Sequence, residues 1–264
     1  MSVDQPIGII GAGALGGAIA TALLDRGGCA PEALTLVTRS GRADAFADRG
    51  CHVTARASGA ARDCPTILLC VPPASLSALD LHAPDALVLS VVAGLGLARI
   101  QAITGCRAAI RAMSSPAAAR GLAYSPFVMG PGATEADRAS AAAFFGACGD
   151  TDEIADEAQI DFFTALTGPV PGFVAFWAEC LTDWATARGI PEDVALKAVR
   201  QLFRASGTIL AEEAATPAAQ VDAMIDYAGT TAAGMEVLRA SPVAREAARA
   251  LDASAARARS ISDD

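Results

Sequence analysis

Six residues near the start of the chain, Gly11-Ala12-Gly13-Ala14-Leu15-Gly16, have the spacing G-x-G-x-x-G. They follow an apolar run, residues 6–10, that reads as a strand, and they open a helical pattern over 14–26. In that setting each glycine has a physical reason. Gly11 permits a tight turn, Gly13 lets the backbone approach a pyrophosphate, and Gly16 lets the helix pack against the sheet. The first helical residues, Ala14 and Leu15, carry free N–H groups and the positive end of the helix dipole, which suit phosphates. The chemistry this points to is dinucleotide binding. The bland alternative is a glycine-rich turn in an unliganded α/β domain.

The end of the second strand selects the nucleotide. NAD sites usually place a carboxylate there, which would repel a 2′-phosphate. This chain has Thr38, Arg39 and Ser40, two hydroxyls around a planar cation, and no acid. NADP(H) is therefore favoured. NAD(H) stays open, because Arg39 also reads as a surface arginine over the adenine.

Other chemistries are poorly served. There are two histidines, His52 and His82, neither in a ligand motif, so no metal site is expected. The seven cysteines, at 29, 51, 64, 70, 106, 148 and 180, form no C-x-x-C pair. An odd number without metal spacing points to reduced thiols in a cytoplasm.

The elements that must position these residues fall into two sets. Strand-like runs at 6–10, 34–38, 66–71 and 86–92, with weaker ones at 107–113 and 122–128, alternate with helical segments. Pro72-Pro73 ends the third run. Such alternation predicts a mostly parallel sheet covered by helices on both faces. From 152 onward only helices are expected, over 156–167, 173–188, 191–213, 217–225, 231–239 and 242–259. A boundary near 149–152 follows, giving domains 1–150 and 151–264.

The helix from Phe173 carries Val174, Phe176, Trp177, Cys180, Leu181 and Trp184 around much of its circumference. A helix apolar nearly all round is buried, within its own domain or between subunits. The helical part is small, so a homodimer is expected, with burial inside one chain as the alternative.

Composition sets the outer limits. The chain has 264 residues, 53 % of them hydrophobic and 19 % charged, enough apolar matter for a sizeable core. Net charge is −9, which disfavours a duplex nucleic acid or an anionic membrane surface as partner. The longest uncharged stretch, 5–24, is broken by five glycines and reads as strand, turn and helix rather than a membrane span. No basic stretch precedes it, so no secretory signal is expected.

In order and spacing the segments resemble the pyrroline-5-carboxylate reductase family. The resemblance runs through 7–17, the 66–73 strand with its proline turn, LVLSVVAG at 87–94, and Arg111-Ala112-Met113 before a Ser-Ser-Pro loop. It continues through LTGPVPGFVAFWAECLTDWATARGIP at 166–191 and ends in Ala228-Gly229-Thr230-Thr231-Ala232-Ala233-Gly234. It implies an α/β Rossmann-type N-terminal domain plus an all-α C-terminal dimerisation domain. The implied reaction is hydride transfer from NAD(P)H to the C=N bond of a cyclic imine. By matching position, Gly11, Gly13 and Gly16 take the pyrophosphate, and Thr38, Arg39 and Ser40 the 2′-phosphate. Val71, Pro72, Ala93, Gly94 and Met113 border the nucleotide. Ser114, Ser115, Gly229 and Thr230 would surround the substrate, with Thr231, Asp226 and Tyr227 as the catalytic candidates. A protonated imine is already electrophilic, so such an enzyme needs orientation more than an acid–base constellation.

The departures from the family pattern gather at the substrate end. Where the family reads S-P-G-G-T-T, this chain reads Asp226-Tyr227-Ala228-Gly229-Thr230-Thr231. An Asp226 carboxylate about 4 Å from a substrate carboxylate would cost roughly 4 kcal/mol at an effective dielectric near 20, about a thousandfold in affinity. Gly168-Pro169-Val170-Pro171-Gly172 replaces G-S-G-P-A. Met113-Ser114-Ser115-Pro116 replaces M-P-N-T-P. Val71-Pro72-Pro73 replaces V-K-P. Together these point to a neutral or cationic cyclic imine rather than pyrroline-5-carboxylate. Asp226 would stabilise the iminium, and Tyr227 would donate a proton or pack on the ring. The structural alternative for Asp226 is a helix cap before Tyr227. Glu179, on the apolar helix, reads as a hydrogen-bonding residue inside the dimer.

Rival readings are an ordinary pyrroline-5-carboxylate reductase and a protein that holds NADPH without turnover. A β-hydroxyacid dehydrogenase would need a catalytic lysine in its helical part. The one lysine, Lys197, lies in an amphipathic helical pattern instead.

Overall fold

The computed structural model describes residues 5–26, 28–169 and 171–261. Val170, one of the residues of the altered 168–172 segment, lies outside the described residues. The chain divides into two compact units, Met1–Val170 with Leu251–Asp264, and Pro171–Ala250. The change of character near residue 150 marks the end of the sheet. The division between units falls twenty residues later, because the first helix after the sheet still packs on it.

In the first unit, β1 (Ile7–Ile10), β2 (Leu34–Val37), β3 (His52–Thr54), β4 (Thr66–Leu69), β5 (Leu87–Ser90), β6 (Ala108–Ala112) and β8 (Phe127–Met129) form one sheet. Its order is β3-β2-β1-β4-β5-β6-β8, parallel throughout except for the antiparallel β6–β8 pair. The order reverses at β1, the switch point beside which open parallel sheets take their ligands. Strands β1, β5 and β6 are buried at every position. That is why β1 and most of β5 read as apolar runs rather than alternating ones, while β6 carries one buried charge, Arg111.

Side chains of alternate residues feed two core layers. Ile7, Ile9, Leu36, Leu68 and Leu89 face α1 (Ala14–Asp25) and α5 (Glu135–Gly146). Ile10, Val37, Ile67, Leu69 and Val88 face α3 (Ala57–Asp63), α4 (Leu97–Thr104) and α6 (Gln159–Leu166). A short α2 (Asp44–Ala47) precedes β3.

The expected strand at 122–128 is corrected to two. Pro126 has no N–H to give a ladder, so β7 (Ala123–Tyr124) pairs with β9 (Gly149–Asp150) in a separate ribbon, while β8 joins the main sheet. Strand β3 was not expected at all; with three residues it carries no readable period.

The second unit is helical: α7 (Gly172–Thr186), α8 (Glu192–Glu212), α9 (Pro217–Asp226), α10 (Thr230–Ala240) and the first turns of α11 (Val243–Ser260). Helix α7 packs on α8 and α9 on α10. The alternative reading of α7, burial inside one chain, is not found. Val174 is 54 % exposed, Phe176 57 % and Trp184 57 %. Glu179 is exposed as well, beside Arg200 in the groove between α7 and α8. Among the described residues no helix is long and apolar enough to cross a membrane, and no cluster of acidic, cysteine or histidine side chains could hold a metal.

Candidate active site

The glycine turn leaves β1 with a backbone that only glycine tolerates well. Gly11 has φ +102°, and its N–H donates to the Val37 carbonyl at 2.9 Å. A Cβ there would run into the Cys70 carbonyl and the Val71 side chain. A Cβ on Gly16 would overlap the Gly11 carbonyl, so α1 could not come this close to the end of β1. Gly13 differs: it caps α1, and a Cβ there would have no protein atom within 4 Å. No side chain caps α1, so the N–H groups of its first turn, at Ala14 and Leu15, have no side-chain acceptor at the cap. A cradle closed around Gly11 and Gly16 and open over Gly13 fits a diphosphate.

The rim of this cradle holds the other expected residues. Val71 is half-buried and Pro72 exposed, after the Cys70 N–H bonds the Ile10 carbonyl at 2.9 Å. Burial pushes the Cys70 thiol up to about 12, against a hydrogen bond from the Gly16 backbone, so the floor of the cradle stays uncharged. Ala93 and Gly94 are half-buried in the loop after β5, with Gly94 at φ +72°. That loop is shaped from within: the Val92 N–H donates to Ser90 Oγ at 3.3 Å, and the Val91 N–H to the Leu69 carbonyl at 3.1 Å.

At the end of β2, Thr38 Oγ1 accepts the Arg42 N–H at 3.0 Å, which folds Thr38, Arg39 and Ser40 into a compact turn. Arg39 stands exposed and has no ion pair among the described residues, whereas Arg42 is paired with Asp44 at 3.2 Å. Sequence reasoning missed Arg56 here. It follows β3, beside the turn: a Cβ on Gly41 would lie 3.3 Å from Ala55. The signal was the arginine two residues after Thr54, hidden because β3 itself was not seen.

Beyond β6, Met113, Ser114 and Ser115 are all buried. Met113 Sδ lies 3.5 Å from the Thr167 hydroxyl. Ser114 Oγ accepts from Ser125 Oγ at 2.9 Å, so its hydroxyl is occupied within the protein.

The remaining set lies in the second unit. Asp226 is the last residue of α9, not a cap ahead of a helix, so the cap reading is corrected. A carboxylate at a helix C-terminus gains nothing from the dipole. It is exposed and has no ion pair among the described residues. Tyr227 is 84 % exposed, and a Cβ on Gly229 would lie 3.2 Å from its ring. Ala228 takes φ +55°, the left-handed conformation for which the family pattern supplies glycine. Gly229 then caps α10 with no side chain, leaving the first-turn N–H groups at Thr230 and Thr231 bare.

With this geometry in view, the comparisons are specific. The family model for pyrroline-5-carboxylate reductase dimerisation matches residues 157–261, and the model for NADP oxidoreductase, coenzyme F420-dependent, matches 6–94. A pyrroline-5-carboxylate reductase of Synechocystis sp. is 30 % identical over 238 residues, covering 88 % of this chain and 89 % of that one. The chain belongs to the pyrroline-5-carboxylate reductase family. A family member from Arabidopsis thaliana is 29 % identical, covering 97 % of this chain and 95 % of its own. A crystal structure of the Plasmodium falciparum pyrroline carboxylate reductase, with NADP bound, superposes with a TM-score of 0.85 at 19 % identity, covering 99 % and 100 % of the two chains. This reductase thus has the family's two parts, a Rossmann-like parallel sheet followed by a helical dimerisation region. It is an NAD(P)H-dependent oxidoreductase of carbon–nitrogen bonds.

Proposed function

We propose that this reductase reduces a cyclic imine lacking a carboxylate, with NADPH as coenzyme and as a homodimer. The observation that carries the substrate reading is Asp226, an exposed carboxylate without an ion pair among the described residues, just before the bare N-terminus of α10. In the family pattern that loop carries no charge. An uncompensated acid there favours an iminium and opposes a carboxylate.

The coenzyme assignment is supported by the fit of the cradle. Gly13 with the first turn of α1 would hold the diphosphate. Arg39, with Thr38 and Ser40, would hold the 2′-phosphate, an arrangement with no acid to favour NAD(H). NADPH supplies the hydride when bound. The chain's own residues would bind, orient and charge-match: in the first unit the 93–94 loop and Met113 would border the nicotinamide, and in the second Tyr227 offers a ring and a phenol and Asp226 negative charge. Homodimer formation is supported by the exposed apolar side of α7 and by the family's dimerisation model. A cytoplasmic setting is supported by seven free thiols.

The test is Asp226→Asn. It should raise kcat/KM for pyrroline-5-carboxylate at least tenfold and lower it for a cationic cyclic imine. Equal effects on both substrates, or none, would refute the charge argument. The ordinary reductase reading has one observation in its favour. The uncapped N-terminus of α10, at Gly229, Thr230 and Thr231, is a ready carboxylate site.

A further inference from the structure

Arg111 lies in β6 with 5 % of its surface exposed. Its Nη2 is 2.5 Å from Asp161 Oδ1, and its Nη1 is 3.4 Å from Glu157 Oε1. One guanidinium is thus gripped by two acids that flank the start of α6. The same Glu157 oxygen accepts the Leu97 backbone N–H at 2.7 Å. Leu97 is the first residue of α4, and its N-cap, Gly96, has no side chain to satisfy it. Glu157 therefore caps a helix that lies sixty residues earlier in the chain. Gly96 admits it, since a Cβ there would stand 3.3 Å from the carboxylate.

The opposite end of α6 meets the residue just after the same strand. The Thr167 hydroxyl meets Met113 Sδ at 3.5 Å, and a Cβ on Gly168 would lie 3.1 Å from the Met113 methyl. One end of α6 is thus held to β6 and the other to the residue that follows it, and the residue opening α4 is held by Glu157 just ahead of α6. A cavity of about 340 Å³, lined in part by Gly94, Gly96, Arg111 and Glu157, lies against the cluster.

Such a cluster is a poor route to stability. The desolvation of buried ions offsets most of their attraction, and apolar replacements are often as stable. Arg111 Nε is buried with no partner among the described residues, so the group is not even fully satisfied. What two directional ion pairs and a shared cap supply is a fixed geometry for the 93–96 loop.

We propose that Arg111 is a positioning residue for hydride transfer, acting through Glu157 to hold the α4 N-terminus and the 93–96 loop, which would border the nicotinamide. This rests on the reductase reading given above. The test uses the whole protein with Glu157→Gln and Arg111→Lys, and Arg107→Met as control. Arg107 stands at the other end of β6 and pairs with Asp137 at 2.6 Å.

Hydrogen exchange, which needs no turnover, should show the Leu97 amide exchanging about tenfold faster in the Glu157 and Arg111 variants. With a cyclic imine, kcat should fall about tenfold while the NADPH Kd stays within about threefold. The primary isotope effect from NADPH deuterated at C4 should rise. Arg107→Met should lower Tm and leave Leu97 exchange and the isotope effect where they were. Unchanged exchange, or faster exchange with unchanged kcat and isotope effect, would overturn the proposal. If the unaltered protein reduced no imine while the variants still loosened Leu97, the reductase reading and the hydride-transfer role would fall together and the cap alone would stand.

Discussion

Gly13 and Gly16 belong to one motif and do opposite things. At Gly16 the space for a side chain is filled by the Gly11 carbonyl; at Gly13 it is empty of protein. Two alanine substitutions should therefore separate folding from binding. Gly16→Ala should cost about 1–3 kcal/mol of stability, because the backbone must shift to make room. Gly13→Ala should cost less than about 1 kcal/mol, the usual loss at an N-cap. It should nonetheless weaken NADPH at least tenfold, since its methyl occupies the ligand's side of the turn. Denaturant melts and NADPH fluorescence titrations of the two variants would read this. Equal losses of stability would contradict the division of roles. The same residue-by-residue view explains Ala228, whose left-handed backbone holds the Tyr227 ring against Gly229 at the entrance to α10.

Helix α5 shows how an element is anchored by charge. Thr134 caps it in a reciprocal box with Asp137, and Arg107 clamps Asp137 from the start of β6. Hydrogen bonds from Arg107, then from Thr134, hold the Asp137 carboxyl down at about 2, below its ordinary 3.8. A carboxylate depressed in the folded state stabilises fully above the unfolded value and loses that contribution as pH falls through the folded one. Asp137→Asn should therefore destabilise at pH 7, and its difference from the parent should shrink between about pH 4 and pH 2. Acid unfolding curves that stay parallel over this window would contradict it.

Elements of this kind were legible in the sequence to different degrees. The glycine turn, the buried parallel strands and every long helix after 150 stand close to where periodicity places them, because each is written in consecutive residues. The break at Pro126, the three-residue β3 and the place of Asp226 at a helix end were not, since turn chemistry decided them. The Arg111, Glu157 and Leu97 cluster was invisible. Its members are brought together by the sheet, and no local spacing records it.

The molecule as a whole carries more exposed apolar surface than a lone chain tolerates well. Phe176 and Trp177 meet edge to face on α7 with both rings accessible, and Val194, Leu202 and Ile209 are exposed along α8. Sedimentation should give twice the chain mass, and Phe176→Glu should shift it toward the monomer. A monomeric parent would contradict a dimer built on α7. What the whole assembly reduces follows from the charge at Asp226. The measurement that bears on it most directly is the ratio of kcat/KM, with NADPH, for 1-pyrroline over pyrroline-5-carboxylate in the unaltered protein. A ratio above about ten is expected from the bare Asp226 carboxylate. A ratio well below one would make the protein an ordinary reductase of the carboxylated imine.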